Sequence, residues 1–318
     1  MTHSISAAIH IQGPTIRYAE VLREDASSTL RGVGREAFEF DVTRALWDEE
    51  GSPDVLERAG AAVREALTRD DDGENASSVR MVVPPLDAFS FFTPVASGLS
   101  ERERRHYATH QAALVTGTRS PEALRLSLRA VRTVEREGET IEWIHVLAVP
   151  QAVAERMETV LAALPGENET WLVSTEASAR LMGRAETAAS EDAEESTPYS
   201  LAIGGYPSHT EYVLTREGTL YHAHTAQEAR TPENRAFYGA GFLNRVGVPP
   251  SAIGRLFIYG PTMGPKAEEV FETIFECVAV PLDPFEALGR ASPPDGSSSD
   301  DPPGSYVPCV GGALEEPD

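Results

Sequence analysis

Two glycine-bearing turns, one in each half of the chain, contain residue types that could bind a phosphate. The first lies in the run IHIQGPTIRYAEV, residues 9–21, and the second in the run SLAIGGYPSHTEYVL, residues 200–214. Each run reads as an apolar strand, a tight polar turn and a second alternating strand. Because the pattern opens both halves of the chain, the sequence predicts two similar domains.

The second turn contains four candidate hydrogen-bond donors for a phosphate. A glycine-rich turn can direct backbone N–H and hydroxyl groups at a phosphate. The structural alternative is a hairpin whose glycines are needed only because they adopt a positive φ. The candidate donors are Gly204, Gly205, Ser208 and Thr210.

Two histidine pairs have spacings that are compatible with a metal ion. His222 and His224 would share one face of a strand, and His106 and His110 fall at i, i+4 on a predicted helix. Neither pair has the neighbouring ligands of a zinc site or the glutamate of an HExxH motif. We therefore predict a polar strand face, a solvated helix face and no metal site.

No motif for covalent or P-loop chemistry is present. Ser178 and Ser208 lie outside any G-x-S-x-G elbow, and Cys277 has no neighbouring base. Lys266 is not part of a phosphate-binding P-loop, and no G-x-G-x-x-G follows a strand. The sequence therefore predicts no catalytic residue.

The composition limits the partners. The chain has 318 residues, more than one hydrophobic core usually holds, and 41% of them are hydrophobic. Its net charge of −23 argues against nucleic acid and against docking on anionic lipid, because both need clustered basic residues. Lys266 is the only lysine, so the acidic, arginine-rich surface is typical of a protein in concentrated salt or of a GC-rich genome.

The sequence also predicts a location. Cys277 and Cys309 form neither a CxxC pair nor a disulfide framework, so we expect two reduced thiols in apolar surroundings. The first residues lack the basic start and apolar run of a signal peptide, and no stretch approaches the ~20 apolar residues of a membrane span. We expect a cytoplasmic protein that reaches a membrane only through a partner.

Strand and helix patterns alternate along the chain. Amphipathic periodicity predicts helices over 53–67, 100–114 and 151–164, and Ser100 with Glu103 forms a capping box. Two segments poor in large apolar residues, 183–197 and 291–304, are expected to be flexible. Strands are predicted over 5–11, 15–23, 34–42, 78–83, 88–93 and 142–149.

Taken in order, these pieces resemble the PilM family, the actin-like proteins of type IV pilus assembly. The resemblance is carried by the two turns and by the runs 82–93, 144–164, 173–182, 255–264, 280–285 and 306–314. It implies a two-domain actin-like α/β fold, the duplicated ribonuclease H-like arrangement, with an inserted small subdomain. The implied parts are domain I over 1–182 with the insertion at about 84–138, a linker over 183–197, domain II over 198–290, a flexible segment over 291–304 and a C-terminal segment of domain II over 305–318.

The resemblance implies a nucleotide cleft and shows where this chain departs from it. ATP is the one cofactor that it implies, and it adds five residues to the candidate phosphate and adenosine contacts. The aspartates that hold magnesium in actin-like ATPases are replaced by His10 and Ala202, and neither offers the oxygen ligand that magnesium needs. The resemblance therefore predicts little or no hydrolysis. The five residues are Gly13, Thr15, Gly260, Thr262 and Gly264.

The resemblance also implies a partner, a PilN-like membrane-anchored pilus or secretion subunit whose N-terminal peptide lies in a groove beside the inserted subdomain. Phe89, Phe91 and Phe92 are the candidate groove residues. Alternation places Phe89 and Phe91 on one strand face, most simply the core, and Phe92 on the other. We expect a scaffold protein of the pilus or secretion platform.

Two alternatives stay open. The first is an active ATP-dependent enzyme of the actin and sugar-kinase type, which would need a general base and a magnesium carboxylate. Asp41, Glu142 and Glu176 are the candidates for those roles by their order in the chain. The second alternative is a scaffold without any ligand.

Overall fold

The computed structural model describes residues 3–24, 27–48, 53–68, 76–136, 138–168, 171–189, 198–289 and 301–314. The fold is mixed α/β. The strands are β1 (His3–Gln12), β2 (Thr15–Glu24), β3 (Ser27–Ala37), β4 (Ser78–Val83), β5 (Phe89–Ala96), β6 (Leu124–Arg136), β7 (Glu139–Pro150), β8 (Glu167–Asn168), β9 (Leu172–Val173), β10 (Tyr199–Gly205), β11 (Thr210–Arg216), β12 (Thr219–Ala226), β13 (Ile253–Tyr259) and β14 (Ala279–Pro281). The helices are α1 (Val42–Trp47), α2 (Pro53–Leu67), α3 (Glu101–Thr116), α4 (Gln151–Ala162), α5 (Ser174–Ala189), α6 (Pro232–Val246), α7 (Pro265–Phe275), α8 (Pro284–Ala287) and α9 (Val307–Ala313).

The first sheet contains both predicted strands of the opening run. Its strand order is β3-β2-β1-β4-β8, and β9 also pairs with β4. β4 is buried along its whole length, and four of the six residues in its sequence SVRMVV are apolar. The turn between β1 and β2 contains Gly13, whose φ of +58° is a conformation that glycine adopts without strain.

The second sheet has the strand order β12-β11-β10-β13-β14. β10 pairs antiparallel with β11, from Tyr199 opposite Arg216 to Gly205 opposite Thr210, and parallel with β13. α6 begins after Thr231, which caps it by accepting from the N–H of Asn234. The core between this sheet and its helices includes Leu201, Tyr212, Phe242, Leu256 and Phe271.

The third sheet, with the order β5-β7-β6, and helix α3 cover the segment where an inserted subdomain was predicted. α3 starts with the predicted capping box: Ser100 accepts from the N–H of Glu103, and the Glu103 carboxylate accepts from the N–H of Ser100. Val95, Ala108, Ile144 and Val146 form the apolar cluster between α3 and the sheet. The sheet extends past Gly138, because β7 is its central strand.

Two predicted elements differ from the structure. The strand predicted over 34–42 ends at Ala37, and Val42 starts α1 instead, because the side chain of Asp41 caps that helix. α5 continues to Ala189, so the first residues of the predicted linker are helical. Alanine and glutamate, which dominate the run after Gly183, are strong helix formers. Residues 190–197 of the predicted linker, and 291–300 of the predicted flexible segment, lie outside the described residues.

By internal contacts the chain divides into two compact units. The first unit contains residues 1–9, 17–35 and 174–318, and the second contains residues 10–16 and 36–173. In the first unit, α9 packs on α5 so closely that a Cβ at Gly311 would overlap the carbonyl of Ala177. Among the described residues, no helix combines the length and the apolarity that a membrane span needs.

Candidate functional site

The second glycine turn belongs to the first unit and is an ordered β-hairpin. β10 ends at Gly205, the N–H of Tyr206 donates to the carbonyl of His209 at 3.0 Å, and β11 begins at Thr210. Neither Gly204 nor Gly205 is among the described residues that have a positive φ. The interpretation that these glycines serve a positive-φ turn is therefore wrong.

The two glycines are required by side-chain packing. A Cβ at Gly204 would overlap the ring of Tyr259. A Cβ at Gly205 would lie 2.9 Å from Nη1 of Arg235 and 2.9 Å from Oγ1 of Thr262. The side chains of Arg235 and Thr262 therefore lie directly beside the turn, where a phosphate would have to bind.

Arg235 on α6 links the turn to the loop that follows β13. Arg235 is 3% exposed, and burial lowers the pKa of its guanidinium from the usual value. Nε donates to Oγ1 of Thr210 at 3.1 Å. Nη2 donates to Oγ1 of Thr262 at 2.7 Å, and Nη1 donates to the Thr262 carbonyl at 3.1 Å. Two candidate phosphate donors, Thr210 and Thr262, are thus bound to one arginine.

A buried carboxylate lies on the same hairpin. Glu211 is 1% exposed and accepts from the hydroxyls of Ser174 and, at 2.6 Å, Tyr259. His209 Nε2 lies 3.3 Å from Glu211 Oε1, and the Ser208 hydroxyl lies 2.9 Å from His209 Nδ1. Burial, followed by the charge of Glu211, raises the pKa of Tyr259 well above its usual range. An acidic group next to the turn disfavours a bound phosphate, because like charges repel.

The loop after β13 is closed by backbone hydrogen bonds. Gly260 has a φ of +93°, and its N–H donates to the carbonyl of Gly304 at 3.0 Å. The N–H of Thr262 donates to the carbonyl of Gly205 at 3.2 Å, and Gly264 is the N-cap of α7. The structure therefore brings the candidate residues Gly205, Thr210, Gly260 and Thr262 together, but mainly to bind one another.

A small cavity lies beside this loop. Its volume is about 150 Å³, whereas pockets for small ligands usually have volumes of ~300–1,000 Å³. Its lining includes Tyr259, Gly260, Met263, Leu282 and Pro303. This is the place in the first unit where the resemblance puts adenosine.

The first glycine turn belongs to the second unit, and its polar groups are bonded internally. The N–H of Gly13 donates to Oγ1 of Thr43 at 2.9 Å. The carbonyl of Gly13 accepts from the N–H groups of Val42, at 2.9 Å, and Thr43, at 3.2 Å. Thr15, the other candidate here, is half-buried at the start of β2. The start of α1 thus occupies the position beside the turn.

The two positions that the resemblance aligns with magnesium ligands are buried. His10 is 1% exposed, and Ala202 has no exposed surface. Neither side chain supplies an oxygen, which is the ligand that magnesium requires. Among the described residues there is no group of three or more His, Cys, Asp or Glu side chains that could hold a metal ion.

The three carboxylates considered for an active enzyme all have local partners. Asp41 caps α1 by accepting from the N–H of Arg44 at 2.9 Å. Glu142 on β7 forms an ion pair with Arg104 at 3.0 Å. Glu176, in the first turn of α5, lies 3.7 Å from an arginine one turn further on.

The three candidate groove phenylalanines lie on β5, at the edge of the third sheet. Phe91 packs into the cluster under α3, whereas Phe89 is 40% exposed. Phe92 is on the opposite face, as the alternation predicts, with its ring centroid 4.9 Å from that of His145. Ser90, also on that face, has its hydroxyl 2.7 Å from His145 Nε2.

The histidine pairs differ in their surroundings. His222 and His224 are half-buried, with ring centroids 5.8 and 5.9 Å from that of Phe242. They form part of an aromatic cluster, so the prediction of a polar strand face is incomplete. His106 and His110 are both exposed on α3, in agreement with the predicted solvated face.

The cysteines are free thiols. Cys309 is buried in α9, and burial raises its pKa to about 12. Cys277 is partly buried, and its thiol lies 3.6 Å from the carbonyl of Gly254. Burial is the largest influence on both thiols and raises the pKa of each, which agrees with the prediction of packing residues.

Sequence reasoning missed the residues that organise the second turn. Arg235 lies outside every quoted run, whereas His209, Glu211 and Tyr259 lie inside the runs 200–214 and 255–264 but were not singled out. One signal was available: Arg235, Gly239 and Leu243 follow the helical spacing of the buried face of α6, so an arginine falls on an apolar stripe. A charged residue at such a position must be hydrogen-bonded inside the fold.

In sequence, the chain matches no known protein family and no curated protein. Solved structures match it by fold. A chain of the PilM–PilN type IV pilus biogenesis complex gives a TM-score of 0.68 at 14% identity, covering 98% of this chain and 97% of that chain. The ethanolamine utilization protein EutJ from Carboxydothermus hydrogenoformans gives a TM-score of 0.52 at 10% identity, covering 99% and 90%. A protein of unknown function from Bacteroides thetaiotaomicron, described as having an actin-like ATPase fold, gives a TM-score of 0.47 at 8% identity, covering 87% and 90%.

The class of protein follows from the two matches with a TM-score above 0.5: the chain has the actin-like ATPase fold. Within that class the fold is PilM-like, because the similarity to the chain of the PilM–PilN complex extends over nearly the whole of both chains.

Proposed function

We propose that this chain is a cytoplasmic scaffold of a type IV pilus or type II secretion assembly platform. In this proposal it binds the N-terminal peptide of a membrane-anchored, PilN-like subunit and does not hydrolyse ATP. The observation that carries the proposal is the PilM-like fold, matched over 98% of this chain and 97% of the chain from the PilM–PilN complex.

The surroundings of the glycine turns support the absence of hydrolysis. The positions expected to hold magnesium contain His10 and Ala202, and the second turn adjoins the buried Glu211. Arg235 occupies the space between that turn and the loop after β13, where it binds Thr210 and Thr262. Catalysis of phosphoryl transfer depends on a bound metal ion and on donors aimed at the phosphate. Here the hydroxyl of Thr210 donates to the carbonyl of Ala229, and the N–H of Thr262 donates to the carbonyl of Gly205.

The edge of the third sheet supports peptide binding. In the described residues β5 pairs only with β7, so its outer backbone N–H and C=O groups form an edge that an extended peptide could join as a further strand. Strand addition gives affinity through main-chain hydrogen bonds and specificity through side-chain pockets. Phe92, on the face away from α3, would contact alternate side chains of such a peptide.

Phe92→Asp tests the partner surface. We expect it to weaken binding of the labelled N-terminal peptide of the PilN-like subunit encoded in the same genome by at least about tenfold, or ~1.4 kcal/mol, because a carboxylate placed in an apolar contact must be desolvated. The measurement is a fluorescence anisotropy titration, with the melting temperature recorded for each variant.

Phe237→Asp is the matched control. Phe237 is 74% exposed on α6 in the other unit, so the same substitution there should leave peptide affinity and melting temperature unchanged. If Phe92→Asp binds the peptide with wild-type affinity and melts at the wild-type temperature, the assignment of the groove to β5 is wrong.

The competing function is an active ATP-dependent enzyme. It is tested by phosphate release and calorimetric titration with Mg-ATP. Steady turnover that is abolished by Asp41→Asn, Glu142→Gln or Glu176→Gln would replace the scaffold proposal. Binding heat without turnover would instead identify ATP as a structural ligand of a non-hydrolysing cleft.

A further inference from the structure

His106 and His110 on α3 are placed to bind one ion together. They occur at i and i+4, so both rings project from the same side of the helix. Their Nε2 atoms lie 3.2 Å apart, and the ring centroids are separated by 4.4 Å with the planes at 85°. Both residues are exposed. Two ring nitrogens are therefore already close together at the surface.

The separation of these two nitrogens fits a chelate. Metal–nitrogen bonds to histidine are about 2.1 Å long. Two such bonds to atoms that lie 3.2 Å apart enclose an angle of about 100° at the metal. This value lies between the right angle of octahedral or square coordination and the slightly wider tetrahedral angle. A metal ion can thus bridge the two rings without a change in the helix.

The surroundings leave room for the rest of the coordination shell. Both histidines line a surface pocket of about 360 Å³ that also contains Glu122 and Arg125. Arg125 is paired with Glu158 at 2.9 Å, so a carboxylate balances its charge. No third ligand completes the group among the described residues. Water, or a ligand from another molecule, would fill the remaining positions.

In place of the sequence-based prediction of no metal site, we propose that His106 and His110 form a two-ligand site for a divalent transition-metal ion such as Cu²⁺, Ni²⁺ or Zn²⁺. Imidazole nitrogen is a ligand that these ions prefer. Without metal, one Nε2–H of the pair donates to the other Nε2. With metal, both rings carry their proton on Nδ1, and the ion replaces the shared proton. The proton that leaves Nε2 moves to Nδ1 of the same ring, so this step needs no proton acceptor outside the pair.

The other histidine pair has different surroundings, which make it a suitable control. His222 and His224 are two residues apart on β12, where they are half-buried around Phe242. His222 Nδ1 lies 3.1 Å from the carbonyl of Ala223. This pair is enclosed in an aromatic cluster, so it serves as the internal control.

Calorimetric titration of the full, tag-free protein with CuCl₂, NiCl₂ and ZnCl₂ in a non-coordinating buffer tests the site. We expect one ion per chain and the affinity order Cu²⁺ first, then Ni²⁺ and Zn²⁺. Mg²⁺ should not bind here, because it requires oxygen ligands. The electron paramagnetic resonance spectrum of the Cu²⁺ complex should show two equatorial nitrogen ligands.

Single substitutions test whether the two rings act as one chelate. His106→Gln and His110→Gln should each weaken binding at least about tenfold, because the metal ion is then held by one imidazole and loses the chelate effect of the second. The double variant should bind about as weakly as either single variant. Glutamine is a good helix former, so α3 should stay folded, which circular dichroism verifies.

His222→Gln is expected to leave metal affinity unchanged. Wild-type affinity in His106→Gln or His110→Gln, or an equal loss in His222→Gln, would overturn the proposal. Absence of any transition-metal heat in the wild type would do the same, and would identify the pair as a hydrogen bond only. None of these outcomes bears on the scaffold function, because that proposal is tested separately, by measuring peptide affinity.

Discussion

Arg235→Met removes the side chain that joins α6, the second glycine turn and the loop after β13. Methionine keeps much of the length of arginine but none of its donors. The three shortest bonds that are lost go to Oγ1 of Thr210, Oγ1 of Thr262 and the carbonyl of Thr262. Two longer contacts, to the carbonyl of Ala229 at 3.4 Å and to Sδ of Met263 at 3.5 Å, are lost as well. Thr210 is fully buried, whereas Thr262 is exposed and can be rehydrated.

The expected cost follows from this difference. A buried acceptor left without a donor costs about 1–3 kcal/mol, and each hydrogen bond lost to water costs about 0.5–1.5 kcal/mol. Relief of the desolvated guanidinium offsets part of this sum, so we expect a net loss of about 2–4 kcal/mol. For a unit of this size, that corresponds to a fall in melting temperature of roughly 4–16 °C.

Differential scanning calorimetry measures the fall, with Arg230→Met as the control. Arg230 is exposed, and its Nε makes one hydrogen bond, to the carbonyl of Gln227 at 3.3 Å. Amide hydrogen exchange in residues 260–264 should also increase in the Arg235 variant, because that loop loses its anchor. Equal melting temperatures for the two variants would refute the assignment of Arg235 as the link between these elements.

Two further predictions concern a glycine and a histidine. Gly204→Ala should destabilise the protein by about 1–3 kcal/mol, because the added Cβ overlaps the ring of Tyr259. In thermal melts, Gly241→Ala, where no atom lies within 4 Å of the new Cβ, should instead be neutral or stabilising. Burial, then Arg245 and His222, lowers the pKa of His224 from 6.5 to about 4, so the unfolded chain binds the proton more readily and stability falls as the pH drops from 6.5 towards 4. His224→Gln should flatten that part of the pH–stability curve, and an unchanged slope would contradict the assignment.

Local signals predicted much of the secondary structure. Helix α2 spans the predicted residues 53–67, and β4 spans the predicted residues 78–83. The capping box at Ser100 was readable because both of its partners lie within one helical turn. The opening runs gave both hairpins, since alternation over a few residues determines which face of a strand is apolar.

Other elements were missed for identifiable reasons. β6 was not predicted, although the run LRLSLRAV alternates between apolar and polar residues. A strand in a small sheet has few fully buried positions, so its apolar pattern is short and easily overlooked. The end of β3 was placed too late, because the cap at Asp41 was not recognised. α5 was ended too early, because a run rich in alanine and glutamate forms a helix when one side packs on a neighbour.

The sequence by itself determined the alternation of strands and helices, the two glycine turns and the absence of an aspartate at His10 and Ala202. Those features depend on residues close together in the chain. Only the tertiary structure decided what surrounds the second turn. Arg235 reaches Thr262 across 27 residues, and Tyr259 reaches Glu211 across 48. Such contacts carry no local pattern, because hydrogen bonding and burial at a site are set by the elements that packing brings together.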